Sequence, residues 1–240
     1  MIACRRIGRS FGTFAALRDV SFQLEDGQAV ALMGANGAGK STLFNILATL
    51  DPQFDGEAVV AGFDVRWQRA QVRERIGYVP GRFSLYDDLS VKENLDFFAR
   101  AYGCRPESIE GLSPHIWESL VPFSWKRAGT LSGGMKQKLA FCCAMVHAPR
   151  VLLLDEPTTG IDPVSRQEMW DEIRSQCRRG VSVLVSTHYL DEAQRADRVL
   201  FLNRGQLLLD DSPQGILQSS GCCTLEEVFV KQLEYAGENA

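Results

Sequence analysis

Nine consecutive residues, Gly34-Ala-Asn-Gly-Ala-Gly-Lys-Ser-Thr42, set three glycines, a lysine and two hydroxyls at a spacing suited to holding phosphate. Glycines at 34, 37 and 39 let the backbone curl so that its N–H groups converge on anionic oxygens. Lys40 supplies a full positive charge for β and γ phosphates, and Ser41 is placed to put its hydroxyl on Mg²⁺. With Asn36, Ala38 and Thr42 the run completes the pattern G-x-x-x-x-G-K-[ST]. Leu43, Ile46, Leu47 and Leu50 then recur at i, i+3, i+4 and i+7, so the loop opens a helix. The partial positive charge of that helix N-terminus adds about 0.3–1 kcal/mol for an anion at an exposed site.

A second constellation follows an apolar run. Val151-Leu-Leu-Leu154 leads straight into Asp155 and Glu156. Adjacent carboxylates at the end of a buried strand are costly without a partner, and at the carboxyl edge of a parallel sheet they face the ligand crevice. Asp155 is expected on the Mg²⁺ side, acting through water, and Glu156 beside the water that attacks the γ phosphate. A second glycine turn, Leu131-Ser-Gly-Gly-Met135, precedes this strand and opens another helix, with Leu139, Cys142, Cys143 and Val146 as its apolar stripe. Ser132 is a good N-cap, and Gly133 and Gly134 leave backbone amides able to take an anion.

These turns need strands to carry them. Ala29 to Met33 and Val151 to Leu154 are continuously apolar, and Val181 to Val185 and Val199 to Leu202 nearly so, as in parallel strands covered on both faces. Val20, Phe22 and Leu24 alternate with polar residues as a half-buried strand does, and Glu57 to Val65 reads as a further β stretch. Buried strands alternating with helices predict an α/β fold with a mainly parallel sheet. From about Ser90 to His147 the chain is helix-like, divided by Pro106, Pro114 and Pro122, and reads as an insertion because strands lie on both sides. The Arg-rich run from Arg66 to Arg75 reads as a solvated helix face.

Composition narrows the classes. The chain has 240 residues, 26 basic against 30 acidic for a net charge of −4, and is 45% hydrophobic and 23% charged. That excludes a disordered chain and one that holds nucleic acid by a general excess of positive charge. No stretch approaches the about 18–20 apolar residues that cross a bilayer. The arginines near the start, Arg5, Arg6 and Arg9, precede no apolar core, so no secretory signal is read there. The seven cysteines lack Cys-x-x-Cys spacing and are expected as free, mostly buried thiols, consistent with the cytosol.

The phosphate loop, Leu131-Ser-Gly-Gly134, Leu152-Leu-Leu-Asp-Glu-Pro157, Asp162 and Thr187-His188, in this order, resemble the ATP-binding cassette superfamily over essentially the whole chain. The segments Phe83 to Ser90, Leu131 to Gln137, Asp155 to Asp162 and Thr224 to Phe229 resemble its exporter branch, in which the ATPase and its permease are separate polypeptides. The resemblance implies one ATP-binding domain over 1–240. It has a P-loop NTPase parallel-sheet core, an N-terminal antiparallel β-subdomain, an inserted helical subdomain at about 83–147 and a C-terminal extension at about 205–240. It implies ATP and Mg²⁺ as ligands and hydrolysis catalysed by Glu156 with His188 against the γ phosphate. Phe11 would stack on adenine, with Phe14 the other candidate. Ser132, Gly133 and Gly134 would act in trans on the partner's nucleotide, and Asp162 would lie at the dimer interface. The implied partners are a second cassette, identical or a paralogue, and integral-membrane permease subunits, with no nucleic acid. The implied location is the cytoplasmic face of the inner or plasma membrane, held peripherally.

Two departures stand out. Gly81 occupies the place, after Ile76 to Val79, where the family usually has a glutamine whose amide touches Mg²⁺, so hydrolysis is expected to be slower or differently coupled. Met135 stands where the signature often has glutamine, and the insertion between Tyr102 and Leu131 is short. Two other readings compete: a cassette acting on ribosomes or DNA, which would usually carry a second fused cassette, coiled coils or zinc modules, and a nucleotide-binding regulator without hydrolysis, against which Lys40, Asp155, Glu156 and His188 argue.

Overall fold

A computed structural model describes residues 1–82, 84–106 and 108–238. Phe83, the first residue of the exporter-like segment, and the last two positions of the chain lie outside the described residues. The chain opens with β1 (Ile2–Phe11), β2 (Phe14–Leu24) and β3 (Ala29–Met33), then α1 (Lys40–Leu47), β4 (Asp55–Val60), β5 (Phe63–Asp64), α2 (Arg69–Arg73) and β6 (Ile76–Val79). Four helices follow, α3 (Val91–Ala101), α4 (Ser108–Leu112), α5 (Pro114–Leu120) and α6 (Gly133–Met145). The chain then returns through β7 (Val151–Asp155), α7 (Pro163–Arg178), β8 (Ser182–Thr187), α8 (Leu190–Ala193), β9 (Arg198–Asn203) and β10 (Gln206–Asp211), ending in α9 (Pro213–Ser220) and α10 (Leu225–Glu238).

The strands form an antiparallel sheet, β2-β1-β4-β5, and a larger one, β10-β9-β3-β8-β7-β6, parallel except for β10. Every residue of β3 and β7 is buried, as their unbroken apolar runs predict. The strand period of two divides their side chains between two cores. Ala29, Ala31, Met33, Leu152, Leu154, Val183 and Val185 face one side, against α3 and α5 to α10. Val30, Leu32, Val151, Leu153 and Leu184 face the other, against Leu43, Phe44, Ile46 and Leu47 of α1 and the antiparallel sheet. Cys4, Cys142 and Cys143 lie in these cores, and burial pushes their thiols well up from the usual range.

Four local expectations change. α1 stops at Leu47, because Thr49 takes a left-handed φ of 63° and Asp51-Pro52 follows, which leaves Leu50 57% exposed rather than on the helix's apolar face. The stretch Glu57 to Val65 is not one strand: Ala61 and Gly62, at φ 52° and 86°, fold it into the β4–β5 hairpin. α6 carries no narrow stripe, since Lys138 through Met145 are all buried between the sheet and α3, α5 and α7. The Arg66–Arg75 run is structural as well as solvated. Arg66 lies 4.1 Å over Phe54, Arg73 donates to Thr49 Oγ1 at 2.7 Å and Arg75 covers Phe63, so the long aliphatic stems seal the apolar edge of the hairpin.

Between β6 and β7 the chain leaves the sheet. α3 starts at a capping box in which Ser90 and Glu93 satisfy each other's backbone N–H groups. α6 then brings the chain back so that β6 and β7 pair directly.

Candidate nucleotide site

The loop after β3 is built around glycines that no other residue could replace. At Gly34, φ is 155° and a Cβ would collide with the Leu202 carbonyl oxygen; at Gly39, φ is 110° and a Cβ would lie 2.5 Å from the Ala16 carbonyl oxygen. The turn before β10 clamps the loop from the other side, with Gly205 N donating to Ala38 O at 2.9 Å. The N-terminus of α1 receives no side-chain cap, so its first-turn amides are left for a ligand. Lys40 is buried and its Nζ donates to Gly34 O at 2.8 Å and Ala35 O at 3.3 Å.

Phe11, Phe14, Ala16, Asn36, Gly37, Gly39, Lys40, Ser41, Thr42 and Glu156 line one cleft. Both aromatic candidates are thus at its wall, 51% and 62% exposed, and the Arg9 guanidinium packs 4.2 Å over the Phe11 ring. Gly34 and Ala38 are buried beneath the cleft and shape it through the backbone.

At the end of β7, Asp155 is 4% exposed and accepts from Ser186 Oγ at 2.5 Å, while Ser186 Oγ accepts from Glu156 N at 2.8 Å. Glu156 sits at φ 52°, a left-handed conformation uncommon for a residue other than glycine. That turn swings its carboxylate back to the loop. Oε1 lies 3.7 Å from Lys40 Nζ, and Oε2 lies 3.8 Å from His188 Nδ1. Ser186, which locks the two acidic residues together, carries no spacing signal; its sequence mark is its place beside Thr187-His188 at a strand end.

The donor set suits Mg²⁺. A buried carboxylate and the Ser41 hydroxyl are hard oxygen ligands, and Mg²⁺ is commonly held by one or two such groups together with phosphate and water. Gly81 abuts this spot: a Cβ there would sit 3.3 Å from Asp155 O and 3.5 Å from Oδ2, so any side chain at 81 would start against the carboxylate. Tyr78, two positions into β6 from Ile76, has its phenol pushed up to about 12 by burial and by the charge of Asp155.

The second glycine turn lies elsewhere. Ser132 Oγ accepts from Met135 N and caps α6, and none of Ser132, Gly133, Gly134 or Asp162 lines the cleft. They pack on one another instead. A Cβ at Gly134 would lie 2.8 Å from Ser165 Oγ and 3.7 Å from Asp162 Oδ2. Asp162 caps α7 by accepting from Val164 N and Ser165 N at 3.0 Å, and the Ser165 amide, ahead of its hydroxyl, holds the carboxyl below the usual carboxylate range.

A glycine loop of the G-x-x-x-x-G-K-[ST] pattern after β3, an acidic pair at the end of β7 and a histidine facing Glu156 are the features of a P-loop nucleoside triphosphatase of the ATP-binding cassette class. The family model described as "ABC transporter" matches residues 17–159, and the chain belongs to that family. It is 36% identical over 238 residues to the probable multidrug ABC transporter ATP-binding protein YbhF of Escherichia coli (strain K12), covering 96% of this chain and 41% of the relative. It is 37% identical over 213 residues to the doxorubicin resistance ATP-binding protein DrrA of Mycobacterium tuberculosis (strain ATCC 25618 / H37Rv), covering 88% and 64%. The chain therefore spans less than two thirds of either relative. A solved structure of the ATP-binding subunit of an ABC transporter superposes with a TM-score of 0.87 at 28% identity, covering 97% of this chain and 99% of that one. Among the described residues no helix is long and apolar enough to cross a membrane.

Proposed function

We propose that the chain is the ATP-hydrolysing subunit of an exporter, acting as one ATP-binding domain over 1–240, with 83–147 its helical insertion and 205–240 its C-terminal extension. The observation that carries this is the Glu156 carboxylate, held between Lys40 Nζ at 3.7 Å and His188 Nδ1 at 3.8 Å beside the glycine loop. The names of YbhF and DrrA, a multidrug transporter subunit and a doxorubicin resistance protein, support export as the purpose.

In this reading, adenine stacks on Phe11, and the amides of Gly34 to Thr42 with Lys40 take up the phosphate charge. Mg²⁺, when bound between Ser41 and Asp155, would neutralise developing charge on the phosphate oxygens. Glu156 orients and deprotonates the attacking water, and His188 contacts the γ phosphate from the opposite side of that carboxylate. Gly133 and Gly134 with Ser132 present amides to the nucleotide of a second copy of this chain, and Asp162 meets the partner across the interface.

Membrane work falls to permease subunits, which hold the cassette at the cytoplasmic face. A groove between the insertion and the sheet, lined by Leu50, Arg73, Tyr78, Leu85, Phe98 and Tyr102, suits a permease segment, since it is apolar at its walls and reaches Pro80. The test is Glu156→Gln, which should cut ATP turnover by about 10²-fold or more while leaving nucleotide affinity intact. Turnover at the wild-type rate would overturn the assignment.

A further inference from the structure

His188 is 41% exposed, and something must hold its ring against Glu156. The holding begins on α7, one turn beyond Asp162. Arg166 N donates to Asp162 O at 3.0 Å, and its guanidinium lies 4.0 Å over the Tyr189 ring. The Tyr189 ring in turn lies 4.3 Å from the imidazole of His188. Guanidinium, phenol and imidazole thus touch in series, the last two rings tilted by 38°, and the series ends on the group facing Glu156.

This series of contacts is fastened by Glu192 on α8. Its side chain is fully buried, its Oε2 accepts from Thr187 Oγ1 at 2.6 Å, and Thr187 Oγ1 accepts from Tyr189 N at 3.0 Å. Glu192 Oε1 faces Arg166 Nε at 3.6 Å, and Arg166 Nη1 also lies 3.7 Å from Asp191 Oδ2 at the surface. Neither Glu192 Oε1 nor Arg166 Nε makes a hydrogen bond, so two buried polar atoms meet at ion-pair distance without closing. Burying a carboxylate is costly, and an apolar pair of the same volume often does as well for stability. Here both charges converge on the two residues that flank His188.

We propose that Arg166 and Glu192 are positioning residues for His188, and that they tie its ring to the start of α7 and so to Asp162. This rests on the reading that His188 and Glu156 serve hydrolysis. A shift of α7 at its Asp162 end moves the Arg166 guanidinium, Tyr189 follows through its ring face, and His188 moves against Glu156. Misplacing a catalytic group by about 1 Å can cost about 10²-fold in rate, which gives a weak-looking contact a large lever.

The experiment measures MgATP hydrolysis by the full chain carrying Arg166→Met, Glu192→Gln or His188→Ala, and Arg166→Met together with His188→Ala. Arg166→Met and Glu192→Gln should each lower kcat by about tenfold or more with KM for MgATP within about twofold. Once His188 is alanine, Arg166→Met should add less than about twofold, because residues acting through one another are not additive. Losses that multiply, or single variants at wild-type kcat, would overturn the proposal. If His188→Ala itself turns over at the wild-type rate, the reading of His188 has failed, and positioning fails with it in a distinguishable way. Should Arg166→Met strand the buried carboxylate and unfold the chain, the double variant R166M/E192Q removes both charges together. It should fold and show the same kcat loss with KM unchanged; a folded double variant at wild-type kcat overturns the proposal.

Discussion

The two glycine turns, at 34–42 and at 131–134, both open a helix, yet they are finished in opposite ways. In the first, Gly34, Gly37 and Gly39 all take positive φ, the helix start has no side-chain cap, and Lys40 is buried against the loop's own carbonyls. In the second, Ser132 caps α6, and Ser132 and Gly133 are exposed. One turn sinks its charge and curls inward, making a cradle within a single chain. The other keeps a capped helix start with Ser132 and Gly133 at the surface, while Gly134 is buried against Ser165 beside Asp162. A turn that binds within its own chain has no need of that exposure, whereas one that serves a neighbour does.

Variants can break this contrast. The largest effect is expected from Lys40→Ala, which removes the only full charge in the loop. MgATP hydrolysis should fall roughly 10²–10³-fold, with nucleotide binding weakened as well, in a phosphate-release assay and a titration. Gly133→Asp separates the turns. Its Cβ has ordinary room, 3.4 Å from Gly160 O, and an acidic first turn suits the helix dipole. Thermal stability and monomer nucleotide affinity should hold, while hydrolysis drops at least about tenfold because like charges cost several kcal/mol at a closed interface. Unaltered hydrolysis would make the second turn a helix cap only.

The smallest effect concerns adenine. Phe11→Ala should raise KM for MgATP about 2- to 12-fold, the span of about 0.5–1.5 kcal/mol for an aromatic contact. Phe14→Ala should do less, because the Phe11 ring is already fixed by Arg9 and has less freedom to lose. Equal losses would leave both rings sharing the base.

Continuous apolar runs and the spacing of Gly34 to Thr42 made β3, β7 and the cradle legible in the amino-acid order, since strand burial and loop curvature are local properties. α1's early end at Leu47 was not legible: the helical period ran on to Leu50, and the left-handed Thr49 that interrupts it carries no compositional mark. The breadth of α6's burial is not legible in the sequence because it depends on three helices and a sheet closing around it. Ser186 between Asp155 and Glu156, and Arg166 against Glu192, join residues 26 or more apart in the chain, and no periodicity announces such a pair. Gly81 is visible in the sequence as a departure, but only the fold puts its missing side chain against the Asp155 carboxylate.

We propose that the cradle of one chain is completed by the second glycine turn of another copy. Light scattering of the Glu156→Gln chain, with and without MgATP, decides it. The mass should double when MgATP is added and return to that of one chain when Gly133→Asp is combined with it. A chain that binds MgATP stoichiometrically and keeps the mass of a single copy would contradict the claim.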